Sequence, residues 1–131
     1  MNLSRRSDYA LRAVHCLSGL PKGKLGSINT VARGASVPRA FLAKILRGLT
    51  IGGILTSTQG GAGGYRLSRP PRRVSFLDVI EAVDGPLHLS LCTESKRCSC
   101  NQENDQCRMH EFWIAQERVI RNALHRQNFG G

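Results

Sequence analysis

The sequence predicts a mostly α-helical protein with one small β-hairpin and a long helix near its C-terminus. Apolar residues recur at three- and four-residue spacing in several stretches, which is typical of helices with one buried face. Two short β-prone runs, residues 54–59 and 65–68, flank a glycine-rich tip, which is typical of a hairpin. The length of 131 residues suits one modest core with an extension.

The first predicted helix covers residues 3–20. Ser4 is suited to cap its N-terminus, and Pro21 with Gly23 follows its end. Cys16 lies among apolar residues in this helix, and we expect it to be a core cysteine because free cysteine is commonly buried. The apolar positions at helical spacing are Leu3, Ala10, Leu11, Val14, Leu17 and Leu20.

Residues 28–51 show the pattern of two short helices joined by a tight turn. The first ends near Gly34, and Pro38 suits the first position of the second. The side expected to be buried consists of Phe41, Leu42, Ile45, Leu46 and Leu49. The following hairpin, at about 54–68, makes the combination a winged helix-turn-helix.

This winged unit is the predicted nucleic-acid site. The glycine tip allows backbone to approach a phosphate or a narrow groove, because no Cβ is in the way. Arg39 and Lys44 are expected near bases and Arg47 on phosphate. Four arginines near the wing also favour nucleic acid: Arg66, Arg69, Arg72 and Arg73. The candidate DNA contacts are Ser36, Arg39, Lys44, Arg47, Gln59, Gly60, Gly61, Tyr65 and Arg66.

The charge is distributed very unevenly. The net charge is +10, and residues 1–73 hold 13 of the 19 Lys/Arg but only Asp8 among the nine acids. Residues 74–131 carry a net charge of −2. We therefore predict a DNA-binding domain over 1–73 and a second functional region over 74–131. The basic half has few aromatic residues for base stacking, which counts against single-stranded RNA.

The chain is expected to be cytoplasmic and to have no contact with a membrane. It has no run of about 18 apolar residues, which a membrane-spanning helix would need. Its N-terminus also differs from a secretory signal, because Asp8, Arg12 and His15 interrupt the apolar residues at helical intervals.

The C-terminal half predicts a helix over 75–84, a cysteine-rich loop over 92–110 and a long helix over about 105–127. Ser75 is suited to cap the first of these helices. The apolar stripe of the long helix consists of Phe112, Trp113, Gln116, Val119, Ile120, Ala123 and Leu124. Such a helix in a small protein needs a partner surface, and we expect the same helix of a second subunit, giving a homodimer.

The cysteine-rich loop has the spacing Cys92-x5-Cys98-x-Cys100-x6-Cys107-x2-His110. A reducing cytosol disfavours a disulfide knot. Structural zinc sites usually contain two close cysteine pairs, whereas uneven spacing favours a larger object such as an iron–sulfur cluster. Cys107 is predicted in the first turn of the long helix, where the helix dipole favours thiolate, and His110 projects from the same face.

The chain resembles the IscR/NsrR family of iron–sulfur winged-helix repressors over about residues 1–127. The residues that carry the resemblance are MNLSRRSDYALRAV, the helix-turn-helix, GGAGGYRLSRP, SFLDVIEAVDG, and Cys92-x5-Cys98 with Cys107-x2-His110. The resemblance implies a dimer that binds a palindromic operator in double-stranded DNA. It also implies a regulatory 2Fe–2S or 4Fe–4S cluster, responding to iron–sulfur status, redox state or nitric oxide.

The resemblance implies that Cys92, Cys98 and Cys107 hold the cluster. In one branch of the family the fourth ligand is a histidine, here His110. In the nitric-oxide-sensing branch it is an acid from the partner subunit, here Asp8. Cys100 is additional, and it is an alternative ligand or a redox-active bystander.

The sequence departs from the family in its wing, and it leaves other functions open. Gln59 stands where many members carry arginine, so their operator preference does not transfer directly. A zinc site or a thiol–disulfide switch is the alternative to a cluster, since Cys98 and Cys100 lie close together. An enzyme is not expected, because the chain has no C-x-x-C, no nucleophile–base pattern and no phosphate loop.

Overall fold

The computed structural model describes residues 2–94 and 108–130. The predicted class, mostly α-helical with a small β wing, is confirmed. The predicted ligands Cys98, Cys100 and Cys107, and the predicted start of the long helix near residue 105, lie outside the described residues. The elements in chain order are α1 (Arg5–Ser18), α2 (Ile28–Ala35), α3 (Arg39–Ile51), β1 (Leu55–Thr58), β2 (Gly64–Leu67), a 3-10 turn (Pro71–Arg73), α4 (Phe76–Asp84), α5 (Leu91–Glu94) and α6 (Arg108–Arg126).

Helix α1 is shorter than predicted at both ends. Ser4 has an extended backbone, and its side-chain oxygen accepts a hydrogen bond from the Ser7 N–H at 3.0 Å. This cap fixes the helix start at Arg5, because the first N–H groups of a helix need an acceptor outside it. Leu3 therefore precedes the helix and is 47% exposed. At the other end, Gly19 caps the last turn.

Cys16 packs against the core, as predicted. Burial raises the pKa of the Cys16 thiol, so it stays protonated and behaves as a small apolar side chain. Gly34 of α2 allows this approach, since a Cβ there would lie 2.6 Å from the Cys16 Sγ. A larger residue at 34 would therefore require the Cys16 side chain to shift.

The helix-turn-helix is formed by α2 and α3. The turn between them contains Ser36 in the left-handed conformation, with φ 55°, and its N–H donates to the Ala32 carbonyl. Pro38 is the N-cap of α3 rather than its first residue. The buried side of α3 consists of Leu42, Ile45, Leu46 and Leu49.

Phe41 is not in the core, and this part of the sequence interpretation is wrong. It lies one position, or about 100°, away from Leu42 on the helix surface and is 52% exposed. Its ring lies beside Tyr9 of α1, with a centroid distance of 6.1 Å. The core is already filled at this level by Leu42 and Ile45, which are both buried.

The wing is an antiparallel hairpin in which Leu55 pairs with Leu67 and Thr58 pairs with Gly64. Gly26 forms an isolated antiparallel bridge to this hairpin, because its N–H and C=O both pair with Tyr65, at 2.9 and 2.8 Å. Glycine is needed at position 64, since a Cβ there would lie 2.7 Å from the Gly26 carbonyl oxygen. The backbone of residue 26 thereby attaches the wing to the helical core.

Helix α4 packs against α1, α3 and α6. Ser75 and Asp78 form a complete capping box at its start, as a Ser-x-x-Asp sequence allows. After α6 the chain returns to this point, where the Phe76 N–H donates to the Gln127 carbonyl and Phe129 packs into the core. In the part of the chain that the structure describes, no helix combines the length and low polarity needed to cross a bilayer.

Candidate nucleic-acid and metal sites

The outer face of α3 presents the predicted recognition residues. Arg39, Lys44 and Arg47 are exposed, while Leu42 and Leu46 on the opposite face have no exposed surface. Two small residues, Ala40 and Ala43, are also exposed beside these cations, and the exposed Phe41 ring lies next to Tyr9 of α1. A helix with long cations and short residues on one face can approach the floor of a major groove closely.

The turn and the wing tip provide the remaining candidates. Ser36, Gln59, Gly60, Gly61 and Arg66 are all exposed. Gly60 has φ 111°, a conformation that side-chain-bearing residues rarely adopt, and its carbonyl accepts from the Gly63 N–H at 2.9 Å. Tyr65 differs, because its half-buried ring packs against the core. Its backbone pairing with Gly26 gives it a structural role beside any contact with DNA.

Arg69 is engaged within the protein, although the sequence grouped it with the cations that favour nucleic acid. Its Nε donates to the Arg73 carbonyl at 2.8 Å, and its guanidinium pairs with Asp78 at 3.0 Å. A third, longer bond of 3.4 Å reaches the Gly53 carbonyl. Arg69 therefore connects the base of the wing to the start of α4.

Asp78 is expected to make stability pH-dependent. Burial alone would raise the pKa of this carboxyl, but hydrogen bonds from Ser75 and then the Arg69 guanidinium outweigh burial and lower the pKa. The stabilisation is therefore present above the ordinary Asp pKa and is lost as the pH falls through the lowered value. We expect Asp78→Asn to be less stable than wild type at pH 7, with a difference that shrinks below about pH 4. Urea unfolding at several pH values measures this, and a constant difference would contradict it.

Two of the predicted metal ligands lie in the described residues of the loop and α6. Cys92 is partly buried on α5, and its Sγ lies 3.0 Å from the Ser90 Oγ. His110 lies in the first turn of α6, the helix against which α5 packs. The His110 Nδ1 is buried and has no hydrogen-bond partner within residues 2–94 and 108–130. A buried polar atom without a partner is costly, so this nitrogen is suited to a metal.

The donor set fits an iron–sulfur cluster. Thiolate sulfur and imidazole nitrogen are both ligands of such clusters, and they also suit zinc. Among the described residues, no group of three or more His, Cys, Asp or Glu side chains could hold a metal ion. The predicted ligand set therefore stays a prediction, and its three other cysteines lie outside the described residues.

Asp8, the alternative fourth ligand, has a different environment. Its carboxylate pairs with Arg12 one turn later in α1, at 3.1 Å, and both side chains are well exposed. In the described part of the chain its ion-pair partner is thus Arg12. An exposed i,i+4 ion pair of this kind contributes little to stability. Breaking it to bind a metal would therefore cost little free energy.

The sequence interpretation missed a polar cluster between α4 and α6. His88 Nδ1 lies 3.3 Å from Glu117, an α6 carboxylate that is only 9% exposed. Glu81 of α4 pairs with Arg121 of α6 at 2.7 Å. The available signal was Glu117 itself, an acid four residues after Trp113 within the apolar stripe of α6, because a buried acid needs a partner.

The chain is similar in sequence to known transcriptional regulators. A family model described as Rrf2, iron-dependent transcriptional regulator, matches residues 3–130. Two proteins of Mycobacterium tuberculosis, from strains CDC 1551 / Oshkosh and ATCC 25618 / H37Rv, are described as HTH-type transcriptional regulators. Each is 34% identical over 87 residues, which is 66% of this chain and 54% of the relative. This chain thus spans about half the length of those relatives.

Solved structures share the fold. CymR, the global cysteine regulator of Bacillus subtilis, is 19% identical with a TM-score of 0.80, covering 98% of this chain and 93% of its own. IscR of T. potens is 20% identical with a TM-score of 0.79, covering 98% and 83%. The oxidised form of Staphylococcus aureus CymR is 21% identical with a TM-score of 0.74, covering 98% and 93%.

These matches confirm the resemblance and the expectation that the chain is not an enzyme, since the matched family consists of transcriptional regulators. The family model covers nearly the whole chain, from two residues before α1 to four residues after α6. The chain belongs to the Rrf2 family, whose description is that of a transcriptional regulator.

Proposed function

We propose that this regulator is a dimeric repressor whose affinity for a palindromic operator is controlled by an iron–sulfur cluster. The observation that carries the proposal is the buried His110 Nδ1 without a hydrogen-bond partner in the described residues, at the start of α6. The Cys92-bearing α5 packs against this helix. A metal bound by His110 and Cys92 would contact α6, the proposed dimer helix, so its binding or loss could change how the two subunits are arranged.

Cys92, Cys98 and Cys107 would hold the cluster, with His110 as the fourth ligand or Asp8 from the partner subunit in its place. When bound, the cluster supplies a group that changes with iron supply, oxidants or nitric oxide. The cysteine ligands and His110 would then connect the loop over 92–110 to α6. The two states must differ in DNA affinity for this to regulate transcription.

The proposed dimer rests on the apolar surface of α6. Met109, Phe112, Val119 and Ile120 are exposed, with values between 36% and 63%. Their separations of 3, 7 and 1 positions place all four within an arc of roughly 100° on the helix surface, so they lie along one side. A second copy of α6 would cover this stripe, and a two-fold dimer would present two recognition helices to two half-sites.

Purification without oxygen is expected to yield a brown protein with matched iron and acid-labile sulfide. Cys92→Ser, Cys98→Ser and Cys107→Ser should each abolish the visible absorption, because each removes a thiolate ligand. Cys100→Ser is the matched control and should retain it. His110→Ala and Asp8→Ala identify the fourth ligand, since only the true ligand should alter the absorption band. Sedimentation of the same samples measures the oligomeric state.

The alternative is a zinc site or a thiol–disulfide switch on the same scaffold. One structural neighbour is a CymR in its oxidised form, and Cys98 and Cys100 are separated by a single residue. A colourless protein that stays colourless after anaerobic reconstitution would contradict the cluster. Loss of switching in Cys100→Ser would then support the thiol mechanism.

A further inference from the structure

The segment between α4 and α5, which leads directly to Cys92, is held by two carboxylates. The Leu87 N–H donates to Glu81 of α4 at 2.9 Å. The Leu89 N–H donates to Glu117 of α6 at 3.4 Å, and the neighbouring His88 contacts the same carboxylate. Alternate residues of this segment are thus attached to two different helices.

Glu81 connects three parts of the chain. The same carboxylate oxygen, Oε2, accepts from the Leu87 N–H and from the Arg121 guanidinium, which it meets at 2.7 Å. Glu81 therefore joins α4, α6 and the approach to Cys92 through one atom. Burial alone would raise the Glu81 pKa, but the bonds from Arg121 and Leu87 outweigh it and lower the pKa, which keeps the carboxylate charged near neutral pH.

Helix α4 continues this network toward the DNA-binding elements. Asp84, three residues after Glu81, accepts hydrogen bonds from Ser7 and from the N-cap residue Ser4 of α1. Asp78, three residues before it, pairs with Arg69 at the base of the wing. Asp78 thus bonds to the base of the wing, and Asp84 bonds to α1. Glu81, between them, bonds to Leu87 and to Arg121 of α6.

We propose that Glu81 is a positioning residue that fixes the approach to Cys92 and, through α4, couples the state of the cysteine loop to DNA binding. This proposal has two parts, a positioning role and a coupling role. The positioning role is argued from the contacts of residues 81, 87 and 121, and the coupling role rests on the proposed sensing function. A displacement of residues 87–90 would act on α4 and α6 together, because the Leu87 N–H and Arg121 of α6 both donate to the same side-chain oxygen of α4.

Hydrogen exchange tests the positioning role. Glu81→Ala is expected to speed exchange of the 87–90 amides roughly tenfold in the metal-free protein, which corresponds to the loss of one hydrogen bond to a charged group. Glu81→Gln, which keeps an oxygen acceptor but loses the charge, should show an intermediate effect. Asp84→Asn, an acid of the same helix without a bond to this segment, should leave the rate within about twofold of wild type. Unchanged exchange in both Glu81 variants would overturn the positioning role.

Operator affinity tests the coupling role. The operator is selected in vitro with the purified protein, and its Kd is measured for anaerobically iron-loaded and iron-free forms. Glu81→Gln and Arg121→Ala are each expected to reduce the ratio of the two Kd values at least about threefold, in the range typical of coupling energies. Arg118→Ala, which removes an exposed cation of the same helix, should keep the wild-type ratio. A wild-type-like ratio in both test variants would overturn the coupling.

The two proposals fail in different ways. If wild-type protein binds the operator equally with and without iron, the sensing function and the coupling both fail, and hydrogen exchange still decides the positioning role. If wild type switches but the Glu81 and Arg121 variants switch equally well, only the coupling fails. Should Glu81→Ala not fold, Glu81→Gln and Arg121→Ala carry both measurements.

Discussion

Replacing Arg39 and Lys44 together with alanine is expected to weaken operator binding about 100-fold, because each lost contact to a base edge or phosphate costs roughly 1–3 kcal/mol. Both side chains are exposed on the outer face of α3, so the fold should be preserved. Fluorescence anisotropy with the selected operator measures the change. Arg47→Ala alone should instead reduce the slope of log Kd against log salt by about one, as expected for one lost phosphate contact.

The matched control removes the same charge elsewhere. Arg118 and Arg126 are exposed cations on α6, outside the winged unit. Arg118→Ala/Arg126→Ala lowers the net charge by the same two units, and we expect it to weaken binding by less than about threefold at physiological salt, where distant exposed charges are screened. Equal weakening by both double variants would mean that general charge drives binding, and it would contradict the assignment of α3 as the recognition helix.

Phe129→Ala is expected to lower the free energy of unfolding by about 3 kcal/mol and the Tm by roughly 10 °C. The Phe129 ring is buried against Phe76, with a centroid distance of 4.7 Å, and its N–H donates to the Pro71 carbonyl. This contact attaches the C-terminal end of α6 to the start of α4. Loss of the ring leaves a cavity there and releases the helix end from the core.

Ile51→Ala is the control for this prediction. Ile51 is an apolar residue of comparable size at the end of α3, but it is 77% exposed. Its truncation removes little buried surface, so the expected loss is below about 0.5 kcal/mol. Thermal and urea unfolding compare the variants. A loss for Phe129→Ala as small as that for Ile51→Ala would show that the end of α6 is not anchored on the core.

Local sequence signals predicted most of the helices because their determinants are neighbours in the chain. Ser4 and Ser75 cap α1 and α4 through hydrogen bonds that span three residues. Similarly, the apolar spacing of α3 predicted the buried side chains of Leu42, Ile45, Leu46 and Leu49. The errors lie at the boundaries of these patterns, as with Phe41, where the width of the buried face depends on what packs against the helix.

Some residues of the candidate sites could be predicted from the sequence, and others depend on the fold. The recognition cations and the cysteine-rich loop are visible in the sequence, since each is a cluster of residue types within one short segment. Arg69 is the counterexample, because sequence counts its charge while the structure directs that charge to Asp78 and to two carbonyl groups. The direction of a long side chain depends on acceptors that the fold brings near it.

The sequence by itself determined the class of the fold, the helix-turn-helix with its wing, and the segment that carries the soft ligands. Periodicity, caps and glycine turns are local, so they act before the chain is compact. Only the tertiary structure decided that Gly26 pairs with the wing, that Phe129 closes the core, and that Glu81 joins Leu87 to Arg121. The Gly26–Tyr65 pair is 39 positions apart and the Glu81–Arg121 pair is 40 apart, so only packing of the helices brings their atoms within bonding distance.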